Sequence, residues 1–171
     1  MAWEFIVHWL HTLCAIFWFG GIMYVNAVIG PAMLRCGPTA QAAAGDQLAR
    51  QAVRVTRPIA LLTILLGVVL GTAFGPVKHV ADLLGSAYGI YFLIALVLSI
   101  AVYLWGQLLT ARTALSVAAT PDAGRAAVVR RVIIQSGIEL VGFLAIFTCM
   151  VLMHFAEEHN ATLSVAAHWP L

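Results

Sequence analysis

Four long apolar stretches, separated by short polar segments, dominate the pattern of hydrophobic and polar positions. A helix needs about 20 apolar residues to cross roughly 30 Å of hydrocarbon. The pattern therefore predicts four membrane-spanning helices, at about residues 3–29, 58–74, 88–109 and 132–155. Because the connections are short, we expect one domain, residues 1–171, that is an all-α four-helix up-down bundle integral to the membrane.

Turn and cap residues predict where these helices begin and end. Gly30-Pro31 is expected to end the first helix, Pro58 to open the second and Gly75-Pro76 to end it. The sequence Thr120-Pro121-Asp122 predicts a new helical start before the fourth. The segment between the first two spans, residues 37–56, is rich in Ala, Gln and Arg and is expected to be helical itself.

The composition agrees with a membrane protein. Hydrophobic residues make up 63% of the chain and charged residues 9%, against roughly 45–50% and about 25% in ordinary soluble domains. These values exclude a water-soluble monomer, and a net charge of +2 offers no basic surface for nucleic acid. The three cysteines form no CxxC or CxxCH motif, which excludes a disulfide scaffold, a zinc ribbon and covalent haem attachment.

The positive charges predict the orientation. Eight of the nine lie in the first and third connections, and Lys78 alone lies in the second. The positive-inside rule therefore places both termini outside, most simply across a bacterial inner membrane. The eight are Arg35, Arg50, Arg54, Arg57, Arg112, Arg125, Arg130 and Arg131. In the first connection, Arg50, Arg54 and Arg57 are spaced to share one helix face and are expected to meet anionic lipid headgroups.

In this orientation every histidine lies in the outer half of the protein. His8 and His11 are three residues apart and point the same way from the first helix. His11 lies roughly 12 Å into that helix. Ionisable groups in hydrocarbon are costly, so His11 is a functional candidate. The remaining histidines are His79 in the outer connection, His154 at the end of the last span, and His159 and His168 in the tail, where no role is expected.

Imidazoles among apolar helices favour a haem b site. We expect His11 as one axial ligand and His154 or His79 as the second, with His8 matching His154 better in depth. Small residues near Trp18 would make room for the macrocycle. Lys78, alone on the outer side, would pair with the haem propionates.

Two alternatives remain open, and a buried carboxyl adds a further candidate. Cys14, Cys149 and Met150 are soft ligands that favour Cu(I), so a copper-handling protein is the rival to a haem protein. A structural subunit without a cofactor is the third possibility. Glu139, inside the fourth span, is either a proton-handling carboxyl or is paired with Gln107 or with an arginine on the lipid side.

The first helix also resembles that of a superfamily of small membrane bundles. The shared pattern is Leu-His, six residues, then Trp-x-Gly and an aromatic residue. The superfamily includes the copper-resistance CopD family, the HemJ-type protoporphyrinogen oxidases and the N-terminal membrane domain of certain bacterial urate oxidases. The matching residues are His11, Trp18, Gly20, Tyr24, Asn26 and Pro31.

The resemblance implies that His11 binds haem or a metal. HemJ-type enzymes are also expected to carry a lysine within the bundle, and no lysine lies in any predicted span here. The expected function is a haem-b-binding membrane protein with an electron-transfer or oxidoreductase role on the outer side. Its partner would be a quinone, a porphyrin or a periplasmic redox protein, and a homo-oligomer is compatible with the sequence. The alternative is CopD-type copper handling.

Overall fold

The computed structural model describes residues 2–167, with side chains up to residue 158. It contains four long helices, α1 (Ala2–Arg35), α2 (Pro38–Phe74), α3 (Ala87–Leu115) and α4 (Asp122–Ala167), and one short helical turn, Asp82–Gly85. The described residues form no strand. Each long helix contains a window with a mean hydropathy of 1.8 to 2.2, so all four are long and apolar enough to span a membrane. The predicted helical class and the number of spans are confirmed.

Two predicted helix boundaries are wrong. Gly30-Pro31 does not end α1, which continues to Arg35 after a π-helical segment, Val25–Ile29. The wider π turn precedes Pro31 and accommodates a residue that lacks an N–H donor. Pro58 does not open α2 but lies inside it, because the polar segment before Pro58 is helical, as expected, and continuous with the span. Thus α2 begins at Pro38.

The helices alternate in direction and pack as neighbours. The most extensive contacts join α1 to α2 and α3 to α4. Between α1 and α4, Gly30 lies against Ile133 and Trp18 against Phe143, so residue numbers rise on one helix as they fall on the other. The bundle is therefore antiparallel between chain neighbours and also across its first and last helices.

Exposed apolar side chains define a band around the bundle. Up to the nearest arginine on each helix, Arg112 and Arg131, they extend from Ile90 to Leu109 on α3 and from Ile134 to Phe155 on α4; Leu115 is exposed beyond Arg112. At 1.5 Å per residue these stretches measure about 28 Å and about 32 Å, which matches the hydrocarbon thickness of roughly 30 Å. We call this region the apolar band. The end of the band at Phe155 is the end predicted to lie outside.

A buried arginine joins the connections at the other end of the bundle. Arg125 is only 6% exposed. Its guanidinium donates to the carbonyl oxygens of Pro38 at 2.8 Å, Thr120 at 2.7 Å and Val117 at 3.2 Å, and to the Asp122 carboxylate at 2.5 Å. One side chain thus links the start of α2, the connection after α3 and the first turn of α4.

Replacing this arginine is expected to destabilise the fold. Arg125→Ala leaves buried carbonyl oxygens without donors, which should lower the free energy of unfolding by about 3 kcal/mol. Arg130→Ala, at an exposed position of the same helix, is the matched control and should change it by less than about 0.5 kcal/mol. Thermal unfolding in one detergent measures both variants, and an equal effect would contradict the role of Arg125.

Candidate functional site

His11 is buried within the apolar band, in the half that ends at Phe155. Its side chain is 8% exposed and lies about 14 Å along α1 from Ala2. Nδ1 lies 2.9 Å from the carbonyl oxygen of Thr63 on α2. A carbonyl oxygen only accepts, so Nδ1 carries the hydrogen, and the neutral ring has its lone pair on Nε2. No described residue hydrogen-bonds to this Nε2.

A glycine on α2 makes room for the His11 ring. A Cβ atom at Gly67 would lie 3.0 Å from His11 Cε1, closer than most real contacts. Gly67 and Thr63 lie four residues apart, on one face of α2. The sequence reasoning missed both residues. Gly67 lies inside the apolar run Leu65-Leu66-Gly67-Val68, where no turn requires a glycine. A glycine at such a position indicates that another group approaches the helix closely.

The other histidines lie apart from His11. His8 and His79 are exposed. The His154 side chain is 70% exposed, and its Nε2 lies 3.3 Å from Glu158 Oε1 on the same helix. His168 and the side chain of His159 lie outside the described residues.

Depth also separates His11 from His154. Measured from the contact between Trp18 and Phe143, His11 lies seven residues outward on α1 and His154 eleven residues outward on α4. The two therefore differ in depth by about 6 Å. The expected pairing of His11 with His154 or His79 as haem ligands stays a prediction.

Trp18 belongs to the core between α1 and α4. It is 4% exposed, and its ring meets Phe143 edge to face at 4.7 Å between centroids. Phe19 also contacts Phe143, at 5.7 Å. Trp18 thus packs below His11, on the side away from the predicted outer end.

Outward of this aromatic contact, one face of α1 carries a shallow, largely open depression that residues of α1 alone line. Thr12 and His8 precede Phe19 by seven and eleven residues, so they share the flank of α1 that faces α4, and both are exposed. The residues that line the depression are Glu4, Phe5, His8, Trp9 and Thr12.

Lys78 closes the C-terminal end of α2. Its Nζ donates to the carbonyl oxygens of Thr72 and Ala73, both at 2.9 Å. The backbone amides of His79 and Lys78 donate to the Asp82 carboxylate and lower its pKa. The lysine expected to pair with haem propionates therefore has a capping role in this structure.

The soft residues Cys149 and Met150 lie in and beside the core of the bundle. Cys14 is half-buried and Cys149 is buried. Met150 packs against the core around Trp18, which agrees with gap filling. Among the residues that the structure describes, no three His, Cys, Asp or Glu side chains lie close enough to share a metal ion.

Glu139 forms a second buried polar site, near the opposite edge of the apolar band. It is 5% exposed and accepts a hydrogen bond from Thr110 Oγ1. Gly106 leaves space for its carboxyl group, since a Cβ atom there would lie 3.3 Å from Oε2. Gly106 and Thr110 bound a π-helical segment of α3. The expected pairing of Glu139 with Gln107 is wrong. The Gln107 side-chain oxygen accepts a hydrogen bond from Arg57 Nε instead, at 2.8 Å.

The chain was compared with known proteins in three ways. A scan against models of protein families, a search of curated proteins and a search of solved structures found no match to the chain.

The close approach of His11 to Gly67 predicts different effects at two glycines. Alanine is favoured over glycine by about 1 kcal/mol inside a helix. Gly20→Ala should raise the free energy of unfolding by about this amount, since nothing lies within 4 Å of a Cβ atom there. Gly67→Ala should leave the free energy of unfolding unchanged or lower it by about 1 kcal/mol, because the His11 ring must shift.

The His11→Ala background supplies the control. Without the imidazole ring, Gly67→Ala should raise the free energy of unfolding as much as Gly20→Ala does. Thermal unfolding in detergent measures all the variants. Equal gains for the two glycine substitutions in the natural background would contradict the contact.

Proposed function

We propose that this chain is a haem-b-binding protein that transfers electrons in a bacterial inner membrane, with His11 as the axial ligand of the iron. One observation carries the proposal. The His11 ring is buried within the apolar band, between its middle and its edge at Phe155, with Nδ1 fixed by the Thr63 carbonyl oxygen and Nε2 free of other partners among the described residues.

This donor arrangement fits an iron porphyrin. Histidines that bind metals commonly donate their second ring N–H to a carbonyl oxygen, which fixes the tautomer and makes the ligating nitrogen more basic. When bound, haem supplies one-electron redox chemistry in an apolar setting. Within the chain, Thr63 orients His11, and the contact between Trp18 and Phe143 excludes water from below.

The structure supports one protein ligand better than two. His154 and His79 are exposed near the outer edge of the band, and His154 lies about 6 Å from the depth of His11. We therefore propose that the iron has His11 as its single imidazole ligand. This differs from the pairing expected from the sequence, because burial and depth separate the histidines.

The same proposal extends to orientation and family. The eight arginines lie at or beyond one edge of the apolar band, and Lys78 lies beyond the other. By the positive-inside rule, His11 and both termini then belong to the outer half. The resemblance of the first helix supports membership of the CopD and HemJ-type superfamily, in which this histidine binds haem or metal.

Spectroscopy of the purified protein tests the cofactor. The protein should show a Soret band with the features of five-coordinate high-spin iron, and His11→Ala should lose most of it. His154→Ala is the matched control and should leave the spectrum unchanged. A colourless protein with about one equivalent of copper would support the copper-handling alternative, and a colourless protein without metal would contradict both.

Reporter fusions test the orientation. A C-terminal alkaline phosphatase fusion should be active, because that enzyme needs the oxidising outer compartment. A C-terminal green fluorescent protein fusion should be dark. The reverse pair of results would place His11 in the inner half and overturn the proposed orientation.

A further inference from the structure

A buried carboxyl group without a cationic partner lies near the arginine-rich edge of the apolar band, the edge at Ile134. Glu139 is 5% exposed, and the ion pairs among the described residues do not include it. It lies five residues from Ile134, or about 8 Å along α4. We propose that Glu139 binds a proton that exchanges with the arginine-rich side of the bundle by way of Gln135. This site goes beyond electron transfer and does not depend on haem.

The immediate surroundings of Glu139 favour the neutral acid. An ionised carboxylate in hydrocarbon is costly unless a cation or several donors surround it. Thr110 Oγ1 donates one hydrogen bond to Oε1, and Oε2 lies in the space that Gly106 leaves. A carboxylic acid with Oε1 as its carbonyl oxygen and the hydrogen on Oε2 fits this arrangement.

The neighbouring helices supply no charge that pairs with this carboxyl group. On α2, Arg57 donates to Gln107 and forms no ion pair with Glu139. On α1, the uncharged Asn26 approaches α4 at Gly137, where its Oδ1 lies 3.8 Å from the position of a Cβ atom. A metal cation would need about six oxygen ligands, whereas a proton needs one. The proton is therefore the cation that the site suits.

Gln135, one helical turn nearer the edge, carries a buried acceptor without a donor. Its Oε1 has no hydrogen-bond partner among the described residues, and a buried group of this kind commonly binds an ordered water. Gln135 and Glu139 are four residues apart, so their Cβ atoms lie about 6 Å apart on one face of α4. A water molecule that donates to Gln135 Oε1 can thus accept the hydrogen of Glu139 Oε2.

Packing makes access to Glu139 one-sided. Gln135 lies next to Ile134, at the edge of the band, so the polar route from the surface is about one helical turn long. In the other direction the next residue on this face is Phe143, which is 8% exposed and packs edge to face against Trp18. A hydronium ion arriving through Gln135 gives its proton to the Glu139 carboxylate and leaves a water molecule and the acid. Release is the reverse step.

Infrared spectroscopy of the full chain in lipid nanodiscs tests for the bound proton. The carbonyl stretch of a protonated carboxyl group is distinct from the bands of carboxylates, and none of the other acidic residues is buried. At neutral pH the natural protein should show this stretch. Glu139→Gln should lack it, and Asp46→Asn is the matched control that should keep it. Thr110→Val should raise its frequency, because the carbonyl oxygen loses a hydrogen bond.

Transfer of the same sample to D₂O tests the exchange. The band should shift as deuterium replaces the proton, and Gln135→Leu should slow this shift about ten-fold through the lost acceptor. His8→Leu removes an exposed polar group near the opposite edge of the band and should leave the rate unchanged.

Three results would overturn the proposal. No band at neutral pH would show that Glu139 is ionised, and a band that never shifts in D₂O would show a sealed acid with a packing role. Both measurements use the natural protein, so they do not require that a variant folds. An unchanged rate in Gln135→Leu would overturn the route. His11→Ala should keep the band, so a protein that shows the band but lacks haem would contradict the proposed function and support this site.

Discussion

The hydrocarbon interior offers no water to polar groups, and this constraint governs every polar side chain within the apolar band. A polar group there gains from a partner in the protein, although Gln135 Oε1 is buried without one among the described residues. The simplest solution is local: the hydroxyl groups of Thr63, Thr72, Ser99 and Thr148 each donate to the carbonyl oxygen four residues earlier. The ionisable groups require a second helix. His11 takes the Thr63 carbonyl oxygen of α2, and Glu139 takes the Thr110 hydroxyl of α3.

Glycine makes both of these inter-helix bonds possible. Gly67 lies beneath His11 and Gly106 beside Glu139, and in each case the missing Cβ leaves the space that the polar side chain occupies. Small residues let membrane helices approach closely where lipid provides no driving force for helix association. The glycines of this bundle therefore do more than bring backbones together, because two of them determine where the ionisable side chains lie.

The sequence predicted the four spans because hydropathy over 20 residues reflects the thickness of the bilayer. It misplaced the start of α2, since a helix that leaves the membrane can continue through Pro58 in a polar environment that hydropathy does not register. It identified His11 and Glu139 as buried ionisable groups but not their partners. Thr63 and Thr110 face these groups because of the rotation of α2 and α3 about their axes, and the π-helical segment of α3 changes that rotation. A single sequence carries no direct measure of helix rotation.

The two buried polar sites lie at different depths and are separated by aromatic packing. His11 lies about 10 Å outward of the contact between Trp18 and Phe143, and Glu139 about 6 Å inward of it. His11 thus lies toward the end of the bundle that carries His8 and Glu4, and Glu139 lies beside α3 toward the arginine-rich end. The packed rings of Trp18 and Phe143 occupy the depth between them, so each buried polar group depends on the helix beside it, α2 for His11 and α3 for Glu139.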